Sequence, residues 1–297
     1  MKQYNIVAPI CSVREVEPVL KAGAGEVYFG IMPENWIKKY GNADFISRRQ
    51  NEKAHLSTYN DLSEIVRIAS DYGCESTLAL NARYSENQMP YIYEILNEWE
   101  ARGGHSVIAA DMELLLWLDG KGSRLRRQLS VMTGIFNKHS VGFFKQFDIS
   151  RVVLPREMAM EEIREFMKYT NREVDYEIIV MFQKCEFIDS FCRFYHSVAE
   201  EHGCQMTFLC GNMKMNHLNN NDLLTPFCAA CKLHALRETG ITNFKIAGRA
   251  YPAELIIKSI GFIKQTLDNY FPSYVDIQNN YKSIFGRSCR IKNCYYR

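Results

Sequence analysis

Cysteines are the residues of this sequence most able to do chemistry, and six of the ten lie between residues 182 and 242. Five of them follow the spacing C-x6-C-x17-C-x17-C-x2-C, formed by Cys185, Cys192, Cys210, Cys228 and Cys231. Thiolates brought together by loops on a rigid scaffold suit an iron–sulfur cluster or a tetrahedral zinc ion. The clustering predicts a thiolate metal centre, and the spacing does not choose between the two metals. Cys11, Cys74 and Cys204 are expected to be ordinary buried thiols.

Length and composition point to one large folded unit. The chain has 297 residues, 47% of them hydrophobic, and α/β barrels commonly need about 250 residues. No apolar run approaches the ~18 residues of a membrane span, and the first residues lack the long apolar segment of a secretory signal. We therefore expect a cytoplasmic protein whose cysteines bind metal or stay as thiols.

Short apolar or β-branched runs alternate with stretches of helical period, which predicts parallel strands joined by helices. The predicted strands are Tyr4–Ala8, Glu26–Phe29, Ser76–Leu80, Ser106–Ala109, Gln128–Val131, Arg151–Leu154, Glu177–Met181 and Asn243–Ile246. The predicted helices are Val13–Ala22, Leu62–Tyr72, Tyr91–Arg102, Met112–Leu118, Ser140–Phe147, Ala159–Met167 and Pro252–Tyr270. Eight units favour an α/β fold of the (β/α)8 TIM-barrel type over an open sheet, since no GxGxxG follows the first strand.

Two connections are long, residues 30–60 and residues 182–242, and the second is a cysteine-rich excursion between the seventh and eighth strands. Both leave the C-terminal ends of strands, the face at which barrels assemble their binding groups. The predicted organisation is a barrel over residues 1–275, containing this insertion, followed by a basic, aromatic tail over residues 276–297.

Polar residues directly after predicted strands are candidates for binding and catalysis. Arg156 and Glu157 follow the sixth strand, where a guanidinium can bind a carboxylate through two hydrogen bonds. The alternative is a local ion pair that fixes the loop. Lys245 and Arg249 bracket the end of the eighth strand, and Asn81 follows the third. These three would bind an anionic small molecule, with a solvent-facing Lys245 as the alternative.

The end of the chain, YKSIFGRSCRIKNCYYR, combines five cations with Tyr281, Phe285, Tyr295 and Tyr296. Such a mixture can contact phosphates and stack on unpaired bases, so RNA is a candidate partner or substrate. The alternative is that the aromatic side chains pack on the barrel while the charges face water. Cys289 and Cys294 would supply a metal ligand if this tail folds back across the barrel mouth.

Four ordered segments resemble peptidase family U32: IVAPICSVREVEPVLKAGAGEVYFG, HLSTYNDLSEIVRIASDYGCESTLALN, VVLPREMAMEEI and NFKIAGR. The resemblance covers residues 5 to about 265. The better understood branches of that family look like oxygen-independent hydroxylation factors that act in ubiquinone synthesis or on transfer and ribosomal RNA. Those branches are associated with a [4Fe–4S] cluster, which the resemblance implies here, with zinc as the alternative.

The resemblance also implies site residues. It places three cluster ligands on Cys185, Cys192 and Cys210 and favours Cys228 as the fourth, with Cys231 as the nearby competitor. It favours a functional role for Arg156 and Glu157. The sequence departs from the commoner family pattern because GNMKMNHLNNNDLLTPF stands where a close cysteine pair with proline and arginine is usual. The fourth ligand and the substrate therefore stay open.

The sequence accordingly predicts an iron–sulfur enzyme, or enzyme subunit, for oxygen-independent hydroxylation of a small molecule, a quinone precursor or RNA. A peptidase acting on unstructured protein is the first alternative. No GxSxG or HExxH motif supports it, and four thiolates leave no open position on zinc. The second alternative is a non-catalytic iron–sulfur subunit of a hetero-oligomer; a homo-oligomer is also compatible with the sequence.

Overall fold

A computed structural model describes residues 4–41, 46–49, 52–170, 173–182, 185, 188–192, 208–211, 213–215, 227–269, 271 and 273–297. Its strands are β1 (Asn5–Pro9), β2 (Glu26–Ile31), β3 (His55–Leu56), β4 (Glu75–Leu80), β5 (Ser106–Ala109), β6 (Arg126–Leu129), β7 (Ile149–Val153), β8 (Asp175–Met181), β9 (Phe208–Cys210), β10 (Met213–Met215) and β11 (Asn243–Ile246). Its helices are α1 (Val16–Lys21), α2 (Glu34–Tyr40), α3 (Tyr59–Asp71), α4 (Met89–Ala101), α5 (Met112–Gly120), α6 (Lys138–Phe144), α7 (Met160–Tyr169), α8 (Leu233–Glu238), α9 (Ala253–Asp268) and α10 (Tyr274–Phe285).

Eight parallel strands close into a barrel. Their order is β1, β11, β8, β7, β6, β5, β4 and β2, and β1 pairs with β2 to complete the circle. The TIM-barrel prediction is therefore confirmed, and each of the eight predicted strands overlaps one of these. The long excursion does separate the seventh barrel strand, β8, from the eighth, β11. Outside the barrel, the two-residue strand β3 pairs in parallel with the end of β2, and β9 pairs with β10 in an antiparallel hairpin.

Residues of β2 alternate between the barrel interior and the surrounding helices, as successive side chains of a strand must. Val27 and Phe29 are fully buried on the helical side, where the Phe29 ring meets the edge of Trp99 at 5.4 Å between centroids. Glu26 and Tyr28 point inward. Both faces of the barrel strands are covered, so most strand residues are apolar, and polar exceptions such as Glu26 and Arg151 point into the barrel.

The barrel interior contains a buried ionic layer. Nη1 of Arg151 donates to Oε2 of Glu26 at 2.6 Å and to Oε2 of Glu177 at 3.0 Å. Nζ of Lys245 donates to Oε1 of Glu177 at 2.6 Å. Two cations thus face two carboxylates, and buried charges persist when they are paired and hydrogen-bonded in this way. Above this layer lies an apolar cluster of Val7, Tyr28, Ala79 and Ile108.

The C-terminal segment packs back onto the barrel. Tyr281, Tyr295 and Tyr296 are each at most 2% exposed. The Tyr296 hydroxyl donates to the carbonyl of Ile179 at 2.5 Å, and the Tyr295 hydroxyl donates to the carbonyl of Phe182. These three rings are therefore unavailable for stacking on bases. Of the part of the chain that the structure describes, no helix combines the length and the apolar character needed to cross a membrane.

Candidate anion-binding site at the barrel mouth

A cavity of about 80 Å³ opens at the C-terminal end of the barrel strands. It is large enough for several water molecules or a small anionic group. Its floor includes Tyr28, Ala79 and Ile108, the apolar cluster above the ionic layer. The charged residues of its lining are mostly cations: Arg48, Arg49, Arg156, Lys245 and Arg249, with Asp189 as the carboxylate.

Arg249 is the most enclosed of these cations, with 4% of its surface exposed. Its Nη2 donates to Oγ of Ser47 at 2.7 Å. Among the described residues, its Nη1 is buried and has no hydrogen-bond partner. The guanidinium lies over Gly30, where an added Cβ would be only 2.1 Å from Nη1. The side chain therefore occupies space that β2 leaves open by carrying glycine, and it keeps one N–H group available for an acceptor.

Arg48 and Arg49 reach the cavity from the long connection after β2. The side chain of Asn81, directly after β4, accepts a hydrogen bond from the Arg48 amide at 3.0 Å and donates to Oγ of Ser130 at 3.3 Å. Asn81 thus helps to hold the arginine loop at the mouth. Sequence reasoning singled out Asn81 and the long connection but missed both arginines, since an Arg-Arg pair in a loop carries no pattern of its own.

Burial and neighbouring positive charges lower the pKa values of two basic side chains at the cavity, Arg249 and His55. Burial lowers the pKa of Arg249 to about 10, Tyr28 opposes this shift, and repulsion from Arg49 contributes to it. Burial also lowers the pKa of His55 to about 3, with a further contribution from the Arg249 charge. The Nε2 atom of His55 donates to the carbonyl of Arg49. Burial is the main cause of both shifts, and the neighbouring arginine charges add to them; a bound anion would relieve that added repulsion.

Lys245 lies at the base of the cavity, and its side chain points into the barrel rather than outward. Its Nζ is 4.1 Å from the centroid of the Tyr28 ring and is paired with Glu177 in the ionic layer. Lys245 therefore contributes to the positive potential with its charge largely balanced, whereas Arg249 has a hydrogen-bond donor to spare.

Arg156 and Glu157 both hold the turn at residues 188–192. Nε of Arg156 donates to Oδ2 of Asp189 at 2.7 Å, and Oε1 of Glu157 accepts from the Asp189 amide at 2.8 Å. Burial raises the pKa of Glu157, and the Asp189 charge adds to the effect. Arg156 is paired with Asp189, a residue that the sequence analysis did not select.

Cys185 and Cys192 flank this turn. The Sγ of Cys185 and carboxylate oxygens of Glu157 and Asp189 all lie within 4.8 Å of one another. The Cys192 amide donates to the carbonyl of Ile188 at 3.0 Å. The turn is also fixed by Arg83, whose Nη2 donates to the carbonyl of Ser190 at 3.1 Å. One predicted cluster ligand, Cys192, thus ends this restrained turn, and a second, Cys185, lies beside it with its Sγ near the Asp189 carboxylate.

The other predicted ligands lie elsewhere. Cys210 ends β9, where its backbone pairs with Met213. The backbone of Cys228 forms an antiparallel β-bridge with Met181 at the end of β8 and a parallel β-bridge with Cys294 in the C-terminal tail. Both cysteines are free thiols. Cys231 follows Cys228 on a short 3-10 turn, Ala230–Lys232. The assignment of the fourth cluster ligand to Cys228 or Cys231 stays a prediction.

Cysteines with altered pKa values are shifted away from the thiolate form. Burial raises the pKa of Cys11 to about 12, and the carboxylate of Glu15 raises it further. Burial likewise raises the pKa of Cys74. Both are half-buried, and Cys204 lies outside the described residues. A nucleophilic cysteine needs the opposite shift, so neither has the environment of a cysteine-peptidase nucleophile.

Comparison with known proteins agrees with this architecture. The sequence model of Peptidase family U32 matches residues 11–296. The chain is 22% identical to a collagenase from Porphyromonas gingivalis, over 91% of this chain and 67% of that protein. It is 23% identical to tRNA hydroxylation protein P2 from Bacillus subtilis, over 90% of this chain and 87% of that protein. A solved U32 peptidase structure superposes with a TM-score of 0.52 at 10% identity, over 85% of this chain and 94% of that chain, a likeness of fold.

Proposed function

Because the chain belongs to peptidase family U32, we propose that it takes part in oxygen-independent hydroxylation of an anionic substrate bound at the barrel mouth. The observation that carries this proposal is Arg249, a buried cation beside Arg49 with one N–H group lacking a partner among the described residues. Relationship to a tRNA hydroxylation protein supports the reaction class. A small carboxylate or phosphate compound, a quinone precursor and RNA all carry the required negative charge.

The donor set suits the [4Fe–4S] cluster that the resemblance implies. Cys192 ends a turn held by Arg156, Glu157 and Arg83, and the Sγ of Cys185 lies beside that turn, near the Asp189 carboxylate. Soft thiolates on a restrained loop are the ligands such a cluster needs. Cys185, Cys192 and Cys210 would hold it, with Cys228 as the predicted fourth ligand and Cys231 as its alternative. When bound, the cluster would transfer single electrons close to the substrate.

Hydroxylation with water as the oxygen source breaks one C–H bond and forms one C–O bond. The substrate gives up one proton and two electrons, and the water gives up a second proton as one of its O–H bonds breaks, so the reaction needs an external two-electron acceptor such as an oxidised electron-transfer protein. Within this chain, Arg249 and Arg49 would bind and orient the anionic group of the substrate. Glu157, which accepts a hydrogen bond from the Asp189 amide beside the cavity and which the family resemblance favours as a functional residue, would accept one of the protons.

A peptidase remains the competing function because a relative carries the name collagenase. The thiols of Cys11 and Cys74 have raised pKa values, which disfavours either as a nucleophile. The remaining alternative is a non-catalytic subunit of a hetero-oligomer, in which case the cation site would bind a partner's acidic group.

The proposal is tested first by anaerobic purification with iron and sulfide analysis, where about four of each per chain are expected. Transfer RNA and small metabolites from anaerobic cells with and without the gene are then compared by mass spectrometry. A species heavier by one oxygen should disappear with the gene and return with the wild-type copy, but not with Arg249→Ala. If no oxygenated species changes between cells with and without the gene, and the pure protein cleaves casein, the hydroxylation proposal is wrong and the peptidase function replaces it.

Anion binding is measured separately by titration calorimetry with inorganic phosphate and with malonate. Arg249→Ala should weaken binding roughly tenfold or more, since a hydrogen bond to a charged group contributes about 1.5–3 kcal/mol. Arg164→Ala is the matched control because Arg164 is an exposed cation on α7, paired with Glu161. Equal affinities of the Arg249 and Arg164 variants would remove Arg249 from the site.

A further inference from the structure

Two buried nitrogen atoms, one from Arg249 and one from His55, meet beside Gly30. A Cβ added at Gly30 would lie 2.1 Å from Nη1 of Arg249 and 2.6 Å from Nδ1 of His55. His55 is held there because β3 pairs with β2 in the register that sets His55 opposite Gly30. Only 4% of Arg249 and 8% of His55 is exposed. The two nitrogen atoms are therefore enclosed and close enough together for one small group to contact both.

The hydrogen bond of the His55 ring fixes which nitrogen carries the proton. Nε2 contacts the carbonyl oxygen of Arg49, which can only accept, so Nε2 carries the proton and donates it. In a neutral ring Nδ1 is then an acceptor. Burial keeps the ring neutral by lowering the pKa of His55 to about 3, and the charge of Arg249 adds to that shift. His55 therefore presents a lone pair beside the guanidinium of Arg249.

Nη1 of Arg249 is a donor and Nδ1 of His55 is an acceptor, yet the two atoms do not hydrogen-bond to each other. Both are buried and lack a hydrogen-bond partner within the part of the chain that the structure describes. The nearby Oγ of Ser47 already accepts from Nη2 of Arg249 at 2.7 Å. Buried donors and acceptors without partners are unfavourable. One oxygen atom that carries a proton would satisfy both, by accepting from Nη1 and donating to Nδ1.

We propose that His55 selects, at Arg249, an oxyanion that carries an O–H group, namely hydrogen phosphate or a singly protonated phosphate monoester. The inference rests on the anion site of the proposed function and narrows its substrate class. Sulfate has the charge of the hydrogen phosphate dianion and the same tetrahedral arrangement of oxygens, but no O–H group. One of its oxygens would face the lone pair of Nδ1, which repels it. The phosphodiester inside an RNA strand also has no O–H on its phosphate group.

His55 has a structural contribution as well, because its hydrogen bond to the Arg49 carbonyl helps to hold the loop that carries Arg48 and Arg49. Loss of this contribution would weaken the binding of every anion alike. Selection depends on the acceptor at Nδ1, so it changes the ratio of two affinities. The preference for phosphate over sulfate therefore separates a specificity-determining His55 from a purely structural one.

The test is titration calorimetry of the full chain with phosphate and with sulfate, near neutral pH and at equal ionic strength. The wild type should bind phosphate roughly fivefold or more tightly than sulfate, as expected for one added hydrogen bond. His55→Leu has no acceptor and should bind both anions equally. His55→Gln can donate to the Arg49 carbonyl and offer its amide oxygen near the position of Nδ1, so it should keep the preference. Equal affinities in the wild type, or an unchanged preference in His55→Leu, would overturn the proposal.

A second measurement observes the ring directly and does not need the leucine variant to fold. Nitrogen-15 NMR should show Nδ1 of His55 without a proton, with the signal assigned by its absence from the His55→Gln spectrum. Phosphate should shift this signal in the direction that accompanies an accepted hydrogen bond, and sulfate should not. The ring of His139, an exposed residue, should respond to neither anion. No shift with phosphate, or the same shift with sulfate, would contradict the selection.

The outcomes distinguish this inference from the function on which it rests. If both anions bind equally and Arg249→Ala abolishes the binding, the anion site stands and selection by His55 is wrong. If neither anion binds to the wild type, both are wrong. A phosphate preference that depends on His55 supports the inference whether or not the hydroxylation assay yields an oxygenated product.

Discussion

Arg156 and Asp189 are joined by two parallel hydrogen bonds between buried side chains, with Nε donating to Oδ2 at 2.7 Å and Nη2 donating to Oδ1. The pair links the loop after β7 to the turn at residues 188–192, which ends at Cys192 and lies beside Cys185. Because Arg156 also lines the cavity, one guanidinium connects the candidate anion site to the candidate metal ligands.

Arg156→Ala tests this link. The substitution leaves the Asp189 carboxylate buried without its guanidinium, so the free energy of unfolding should fall by about 3–5 kcal/mol and the iron content should fall as well. Urea denaturation and iron analysis measure the two effects. Arg67→Ala, which removes an exposed ion pair with Glu64 on α3, should change neither. Full stability and full iron in the Arg156 variant would show that the turn is held by other contacts.

Gly30→Ala tests the position of Arg249. A Cβ at residue 30 would lie 2.1 Å from Nη1 of Arg249 and 2.6 Å from Nδ1 of His55, so the guanidinium must move. Phosphate affinity should fall toward that of Arg249→Ala, as measured by calorimetry. Gly261→Ala in α9 is the control: its Cβ meets nothing within 4 Å, and alanine stabilises a helix by up to about 1 kcal/mol relative to glycine. Wild-type affinity in Gly30→Ala would mean that Arg249 does not bind the anion.

His55 should make stability depend on pH. Its folded pKa is about 3, below the ordinary value of 6.5, so the unfolded chain takes up a proton first as the pH falls. Below about pH 6.5 the free energy of unfolding should therefore decrease, by up to about 1.4 kcal/mol per pH unit from this group. Above about pH 6.5, His55 is neutral in both the folded and the unfolded chain and does not change the free energy of unfolding with pH.

His55→Gln can still donate to the Arg49 carbonyl but does not titrate. Denaturation curves recorded between pH 7 and pH 4.5 should show a shallower loss of stability in this variant than in the wild type. Parallel pH profiles of the two proteins would show that His55 is protonated equally in the folded and unfolded chains.

Tyr296→Phe tests how the tail is attached. The substitution removes a buried hydroxyl that donates to Ile179 at 2.5 Å and leaves that carbonyl without this donor. Thermal denaturation should show a loss of roughly 0.5–1.5 kcal/mol. Tyr274→Phe, at a side chain 61% exposed, should leave the midpoint unchanged. Equal midpoints for both variants would mean that the hydroxyl of Tyr296 is satisfied by water in solution.

The barrel strands were predictable because most of their residues are buried and appear as short runs rich in apolar or β-branched residues. The exception is β6, with the sequence RRQL, which the prediction overlapped only at Gln128 and Leu129. The seven predicted helices were also recovered, since each buries one amphipathic face against the barrel. The short elements α2, β3, α8, β9 and β10 were not predicted; they lie in the two long connections. The helix α10 was not predicted either, since the sequence was interpreted there as a basic, aromatic tail.

By itself the sequence determined the barrel, the family and part of the cavity lining, namely Asn81, Arg156, Lys245 and Arg249, because the ends of parallel strands meet at one face. Only the tertiary structure decided the partners: Lys245 with Glu177, Arg156 with Asp189, and Cys228 with Cys294. Periodicity specifies the side of a strand on which a residue lies, but not the residue that faces it across the barrel or from the returning tail. The excess of positive charge around Arg249 arises from such distant neighbours, and spacing along the chain does not reveal it.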